Sequence, residues 1–420
     1  MKNIKVISLG ISQANFLLQL YNGISDLDDS IIVDLDAVRR FSSEKGKDTS
    51  DHGINEIKDF KSKVYFKDII WAGIQLIFVK YSYIYLLSRY QNEARFSFSH
   101  IRNLLKSKAV VNKYFKGLKY DIFHFHFCEP SSLLYLYFLP DNAKTICTFW
   151  GSDLLRVNGV FNYYLQEKAL RKATIITSPS PEFREIILAK FGRDLKHKVK
   201  YALFNLETRL FTLIDKFSRD SSFLLDFKKK YHLSAKKIIV VGNNANPFNN
   251  HLDVLKSLDQ CSEQIRRDVT FVLPFTYGGN PGYVEQVEIL CAEISIKTVL
   301  IKEFMSWEDL AALRLCTDIF IHMPESDALS GAAIEAMYAG SLLVAGAWLP
   351  YGNFRRSGLI FREVVDYSNL PSTIESVVLN GKDLSLYQKL NNRRIINEHY
   401  LPGVTSIPWI NIYNELVKKR

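Results

Sequence analysis

The sequence predicts an α/β protein made of two doubly wound parallel sheets, and two observations carry that expectation. Short, almost wholly apolar runs alternate with longer amphipathic stretches, which is the rhythm of parallel strands covered by helices on both faces. The rhythm runs in two series, separated across 201–235 by polar, turn-prone sequence. A single closed barrel would carry no such break, so two domains are expected: 1–210 and 211–396, with a linker near 203–222 and a closing helix over 397–420.

The first series reads as strands at Ile4–Leu9, Ile31–Val33, Ile122–Phe127, Thr145–Phe149 and Ile175–Ser178. The second reads as strands at Lys237–Val241, Val269–Pro274, Thr298–Ile301, Ile319–His322 and Leu342–Ala345. The chain opens on Lys2 and Lys5, but Ser12, Gln13 and Asn15 interrupt any apolar run behind them. A first strand entering a helix fits better than a signal peptide. Five widely spaced cysteines with no CxxC pair argue against a disulfide framework or a zinc site and fit a reducing cytosol. The loop Leu9–Gln13 has a single glycine, so a dinucleotide-binding fingerprint is absent.

Over 420 residues, 47% hydrophobic and 23% charged content is ordinary for a globular chain and excludes disorder, collagen and coiled coil. The net charge of +10 is concentrated. Residues 61–120 hold twelve Lys or Arg and two acids, Asp68 and Glu93, a surplus equal to that of the whole chain. The same segment is rich in aromatics. Within it, 69–88 carries only Lys80 as a charge. Three readings stand: a helix lying in a membrane interface, a helix buried under a basic face, or a true span. Gln75, Lys80 and the hydroxyls of Tyr81, Ser82, Tyr83 and Tyr85 weigh against a span and favour the interface.

The stretch Pro324–Gly346 carries the most chemistry. A strand ends at His322, a loop follows, Ser330 can cap a helix from Gly331 to about Ala339, and Gly340 stops it. Open α/β sheets bind ligands at such strand ends. The first turn, Gly331-Ala332-Ala333, has no bulky side chain, so its free N–H groups are open to a phosphate. Glu335 lies about 6 Å further along the same helix face. A carboxylate there repels phosphate but suits the two hydroxyls of a ribose. Asp327, in the loop before the helix, is placed for the sugar end of the same ligand.

Asp327 and Glu335 have seven residues between them, and the helix continues Glu335-Ala336-Met337-x-Ala339-Gly340. This resembles the E-x7-E and E-A-M-A-x-G signature of nucleotide-sugar glycosyltransferases of the GT-B fold, notably the family 4 type. The resemblance implies two Rossmann-like domains facing a cleft, with the second acid holding the ribose and the first facing the donor sugar. The first acid here is one methylene shorter, and Glu325 is its alternative. Tyr201–Phe211 resembles the family's interdomain linker, and Pro402–Tyr413 its returning terminal helix. Val240-Val241-Gly242 resembles its first donor-domain strand and turn.

Family 4 enzymes place an Arg and a Lys after that turn. Here the run from Gly242 through Asn243, Asn244 and Asn250 to His251 carries no positive charge and resembles instead the TDP-4-acetamidofucose transferases of common-antigen assembly. Asparagine amides can bind diphosphate, but without charge assistance. His251, Lys302, Arg355 and Arg356 are candidates for the missing charge, and a turn with a helix cap is the plain alternative for the asparagines.

In the first domain, Asp121-x-x-His124-x-His126 resembles the family's D-x-x-H-x-H strand. Thr148-Phe149-Trp150-Gly151-Ser152-Asp153 resembles its T-x-H-G-x-D loop, with Trp150 in place of the histidine. Asp153 and His126 are thus the candidates to orient or deprotonate an acceptor hydroxyl, with Glu129 nearby. His124 and His126 share one strand face, but no further ligand completes a metal site. Asp34-Leu35-Asp36 is a DxD read as a strand-end turn.

The expectation is therefore a metal-independent glycosyltransferase without a cofactor, taking a UDP-, dTDP- or GDP-sugar to a lipid-linked glycan acceptor. Its place would be bacterial surface polysaccharide assembly (capsule or O-antigen), on the inner face of the cytoplasmic membrane, docked to anionic lipid through 61–120. Resemblance to family 4 implies retention of anomeric configuration, and resemblance to the common-antigen enzymes implies inversion. A non-catalytic GT-B-like assembly partner is the alternative. Nucleic acid is not an expected partner, because it leaves Asp327, Glu335 and their helix unexplained.

Overall fold

The computed structural model describes residues 3–11, 15–36, 52–95, 97–380 and 386–418. Ser12 and Gln13 of the loop after the first strand therefore lie outside the described residues. The chain divides into two compact units, Met1–Leu206 with Pro402–Arg420, and Glu207–Leu401.

Unit 1 holds a seven-stranded parallel sheet: β1 Ile4–Leu9, β2 Ile31–Asp36, β3 Glu56–Lys58, β4 Ile122–His126, β5 Thr145–Thr148, β6 Ile175–Ser178 and β7 Val199–Tyr201, in the order β3-β2-β1-β4-β5-β6-β7. Unit 2 holds β8 Lys237–Val241, β9 Val269–Pro274, β10 Thr298–Ile301, β11 Ile319–His322, β12 Leu342–Gly346 and β13 Arg362–Val364, in the order β10-β9-β8-β11-β12-β13. Each sheet reverses its order once, between β1 and β4 and between β8 and β11. Ligands of open α/β sheets bind at that switch point.

All the expected strands are present. β3, β7 and β13 escaped the sequence because each is a three-residue edge strand, partly exposed, with no apolar run to mark it. Interior strands are apolar because helices cover both faces; Ile239, Val241, Phe271, Ile319, Ile321, Leu342 and Val344 are buried together in unit 2. Val6, Val33, Ile122 and Ile146 do the same in unit 1, joined there by Trp409 and Tyr413 of the helix Pro402–Lys418.

Two expectations about continuity are corrected. The interval 201–235 is not loop but carries two helices, Thr208–Phe217 and Ser221–Lys230. Leu210, Phe211, Ile214 and Phe217 sit one turn apart on a buried face, each contributing roughly 1.5–3 kcal/mol, and Glu207 and Asp220 cap the helix starts. The polar outer faces hid that stripe. Likewise 69–88 is not one helix but parts of two, Phe66–Leu76 and Lys80–Glu93, which meet at 96°. The break is held by tight turns, Phe78 N–H to Gln75 O at 3.2 Å and Val79 N–H to Leu76 O at 3.1 Å, and by the Tyr83 hydroxyl donating to Ile77 O at 2.7 Å. No single helix among the described residues is long and apolar enough to cross a membrane.

Outward faces of these helices are apolar. Phe66 is 77% exposed, Trp71 58% and Phe78, at the bend, 85%, with Ile70, Ile74 and Ile77 exposed alongside. Tyr83, Leu87 and Tyr90 continue the surface on the second helix, and Phe98 and Ile101 on the next, Phe98–Val110. A cluster of exposed apolar side chains this dense marks a surface of contact more than scattered single ones do.

Candidate donor and acceptor sites

At the switch point of unit 2 three loops are tied together. Glu325 N–H donates to Phe248 O at 2.9 Å, joining the loop after β11 to that after β8. Trp348 Nε1–H donates to Pro324 O at 2.8 Å, bringing in the loop after β12. The helix Gly331–Ala339 then starts as expected: Ser330 Oγ accepts from Ala333 N–H at 3.1 Å, and Gly340 closes the far end in the left-handed conformation. Gly331 and Ala332 precede the first intrahelical bond, Ile334 N–H to Ser330 O, so their N–H groups have no acceptor within the helix.

Glu335 is seated by a residue that sequence reasoning missed. Arg314, buried at the end of the helix Trp307–Cys316, donates to Glu335 Oε2 from Nη2 at 2.9 Å and Nε at 3.2 Å. Both bonds fall on one oxygen, so Oε1 is left to accept from a hydroxyl. Arg314 offers no motif in sequence; only its place in the helix before β11 brings it under the Glu335 carboxylate.

Asp327 is pinned at three points. Oδ2 accepts from Tyr351 OH at 2.6 Å and lies 3.2 Å from His322 Nε2, while Oδ1 accepts from Ala328 N–H at 2.8 Å. Burial pushes its pKa up, but His322, the tyrosine hydroxyl and the N–H together hold it below the ordinary carboxylate range. Glu325, two residues earlier, is exposed.

The asparagine run is largely committed to its own loop. Asn244 Oδ1 accepts from Asn246 N–H at 3.0 Å and Asn249 Nδ2 at 2.9 Å, and Asn246 caps the short turn over 247–249. Asn250, at a positive φ, donates to Met323 O at 3.2 Å and Tyr367 OH at 2.7 Å. Asn243 makes no side-chain hydrogen bond among the described residues. The turn-and-cap reading thus describes most of the run.

His251 is fully buried. Tyr283 OH accepts its backbone N–H at 3.2 Å and faces Nδ1 at 3.1 Å. Burial pulls its pKa down to about 4. The chain by itself therefore keeps this ring neutral at neutral pH. Gly242, at φ +67°, packs against this ring; a Cβ there would lie 2.8 Å from Nε2. Lys302 and Arg355 are committed to Glu288 and Glu363, and Arg356 donates to Asn353 Oδ1 at 2.7 Å.

In unit 1 the motif residues turn inward. Asp153 is fully buried and accepts from Cys128 N–H at 2.6 Å, Trp150 N–H at 2.8 Å and Gly151 N–H at 2.9 Å, so it clamps the loops after β4 and β5. Burial outweighs those bonds and pushes its pKa up to about 7. His126 lies 2.9 Å from Tyr21 OH through Nε2, and Trp150 Nε1 stands 3.5 Å from its Nδ1. Its pKa falls to about 3 through burial. His124 lies between Thr148 Oγ1 at 2.7 Å and Tyr413 OH at 2.8 Å. Both oxygens of Asp153 and both nitrogens of His126 are thus committed inside the fold. Glu129 accepts from Ser131. Asp34, in the middle of β2, is bound by Lys58, by Tyr120 OH at 2.8 Å and by Asn55 at 2.8 Å, a structural use of the DxD. Among the described residues no group of three or more His, Cys, Asp or Glu could hold a metal ion.

The sequence matches no protein-family model and no curated protein. Solved structures do match. A glycosyltransferase from Rickettsia africae superposes with a TM-score of 0.69 at 15% identity, covering all of both chains. Anabaena Alr3699/HepE, in complex with UDP and glucose, gives 0.67 at 12% identity, over 98% of this chain and all of that one. A UDP-forming α,α-trehalose-phosphate synthase from Burkholderia vietnamiensis gives 0.67 at 10% identity over both whole chains. The chain has the GT-B fold. Its two parallel sheets of seven and six strands are those of GT-B glycosyltransferases over the full length. In this GT-B chain Gly242 and the helix Gly331–Ala339 flank the switch point of the second sheet, while His126 and Asp153 lie at strand ends of the first.

Proposed function

We propose that the protein transfers a sugar from a nucleotide-sugar donor, bound by unit 2, to an acceptor bound by unit 1. One observation carries the reading. A helix start with small residues lies one turn before a carboxylate that a buried arginine seats by one oxygen only. The N–H groups of Gly331 and Ala332, with Asn243, would take the diphosphate charge that grows as the bond to the sugar breaks. Glu335 Oε1 would accept from a ribose hydroxyl, and Asp327, with Glu325, would face the donor sugar. Asp153 and His126 serve as positioning residues, because their polar atoms are already committed. UDP and glucose bound to the Anabaena neighbour support a UDP-type donor, with dTDP and GDP as the alternatives.

The acceptor in this reading is a lipid-linked glycan of surface polysaccharide assembly, reached at an anionic membrane. The exposed faces of Phe66–Leu76 and Lys80–Glu93 support it. So does the cationic surplus of 61–120, each engaged Lys or Arg contributing about 1 kcal/mol. Steady-state kinetics test the donor site: Glu335→Ala should raise the donor KM and Asp327→Ala should mainly lower kcat. Wild-type values in both variants would sink the assignment. Co-sedimentation with phosphatidylglycerol vesicles at low salt tests the membrane contact. Trp71→Glu with Phe78→Glu should cut the bound fraction at least tenfold, and unchanged binding would refute that docking face.

A further inference from the structure

The switch point of unit 1, between β1 and β4, opens into a cavity of about 260 Å³. Gly10 and Ser131, just past the ends of β1 and β4, contribute to its lining, and so do the helices Lys80–Glu93 and Phe98–Val110 and the loop bearing Lys61. The helices that expose Leu87, Tyr90, Phe98 and Ile101 thus also contribute polar residues to its lining.

Two cations face this space. Lys61 Nζ donates to Asn103 Oδ1 at 2.5 Å and sits 5.4 Å from the Tyr135 ring centre. Arg89 lies over the Tyr85 ring at 5.8 Å, and its Nε is buried without a partner among the described residues. A buried guanidinium N–H left unbonded costs stability unless something fills the place. Glu93 is the acid of the lining, and it is taken by His100 at 2.9 Å. The balance is positive, and the Asn103 amide and Ser131 hydroxyl add hydrogen-bonding groups suited to a sugar.

We propose that this cavity binds the phosphate or diphosphate group of the acceptor, with the oxyanion held by Arg89 and Lys61. The proposal rests on the glycosyltransferase reading for calling the ligand an acceptor, and names its chemical class. Guanidinium is the group that matches phosphate oxygens in a fork, and stacking on an aromatic ring holds it in place. A diphosphate joined to an isoprenoid chain suits the site if the apolar outer face meets lipid. A free sugar phosphate has the same oxyanion chemistry without the chain.

Calorimetric titration of the full chain separates these. The ligands are farnesyl diphosphate, glucose 6-phosphate and glucose, with UDP, dTDP and GDP as a parallel arm. At least one phosphate ligand should bind where glucose does not. Arg89→Leu should weaken it at least tenfold, Arg89→Lys should recover part, and thermal melting should show both variants folded. Arg89-dependent binding of farnesyl diphosphate assigns a lipid-linked group, that of glucose 6-phosphate a soluble one, and that of both the shared oxyanion. No phosphate binding, or equal binding by Arg89→Leu, overturns the proposal. If no nucleoside diphosphate binds while the Arg89 effect persists, the glycosyltransferase reading fails and the oxyanion site stands.

Discussion

The two units share a strand order, yet their switch points use polar side chains in opposite ways. In unit 2 two of the residues expected to meet a ligand keep polar atoms in reserve, while Asp327, Asn244 and Asn250 are spent: Glu335 gives one oxygen to Arg314 and keeps the other, and Asn243 makes no side-chain bond among the described residues. In unit 1 the residues that carry the family resemblance are spent. Asp153 takes three backbone N–H groups, and His124 and His126 lie in a closed cluster with Tyr21, Tyr413 and Trp150. An unpartnered donor that lines the unit 1 cavity is instead Arg89, on a helix outside any motif. A residue whose polar atoms are spent is placed to position, and one with an unspent polar atom is available to bind, whether or not a motif marks it; Glu335 lies in a motif and Arg89 does not.

The largest way to break this contrast is Asp153→Ala. It strands three buried N–H donors in unit 1 and should cost about 3 kcal/mol, measured by urea unfolding. A loss below about 1 kcal/mol would mean the carboxylate is not a clamp. Next is the Arg314–Glu335 pair in unit 2. Glu335→Ala leaves a buried guanidinium unpaired and should cost about 2 kcal/mol, less than a fully buried pair because Glu335 is partly exposed. Arg314→Met with Glu335→Ala should recover much of that loss, and an additive double variant would contradict the pairing.

Acid sharpens the comparison by a smaller amount. His251 has a folded pKa of about 4, below its unfolded value near 6.5, so the unfolded chain binds more protons between them. Unit 2 should lose up to roughly 1.4 kcal/mol per pH unit as pH falls through that window, and the lowered pKa of Asp327 adds acid sensitivity below it. His126 acts the same way in unit 1. There, however, Asp36 and Asp153 are raised by burial to about 7, so the folded state binds more protons than the unfolded one between about 7 and 4. That stabilises unit 1 as pH falls and offsets the histidines. Unit 2 should therefore open first on acidification. Pulsed labelling with a thiol reagent active in acid reads the units separately, through buried Cys128 and Cys147 in one and Cys261 and Cys316 in the other. Equal or reversed sensitivity would count against the buried charge states.

The fold was legible because its signal is apolar and local: runs such as Val269–Pro274 and Ile319–His322 can only be interior strands of a covered sheet. Edge strands such as Arg362–Val364 lack that signal, and the bend at Ile77–Val79 depends on a tyrosine hydroxyl that composition does not reveal. Much of the frame of the proposed donor site was legible too, since Ser330, Gly331 and Gly340 act through backbone rules. What could not be read was who partners whom. Arg314 under Glu335, Tyr351 on Asp327 and the N–H groups on Asp153 all depend on long-range packing, and so does the neutral state of His251.

The central claim is that a nucleoside diphosphate is held at the switch point of unit 2 through the unspent oxygen of Glu335. Titrating UDP, dTDP and GDP into the wild-type chain and into Glu335→Gln, which keeps the shape and a bond to Arg314, tests it most directly. One of the three should bind the wild type, and the variant should bind it at least tenfold more weakly, about 1.4 kcal/mol, with its melting temperature little changed. Equal affinity in the two chains, or binding of none of the three, would contradict the account.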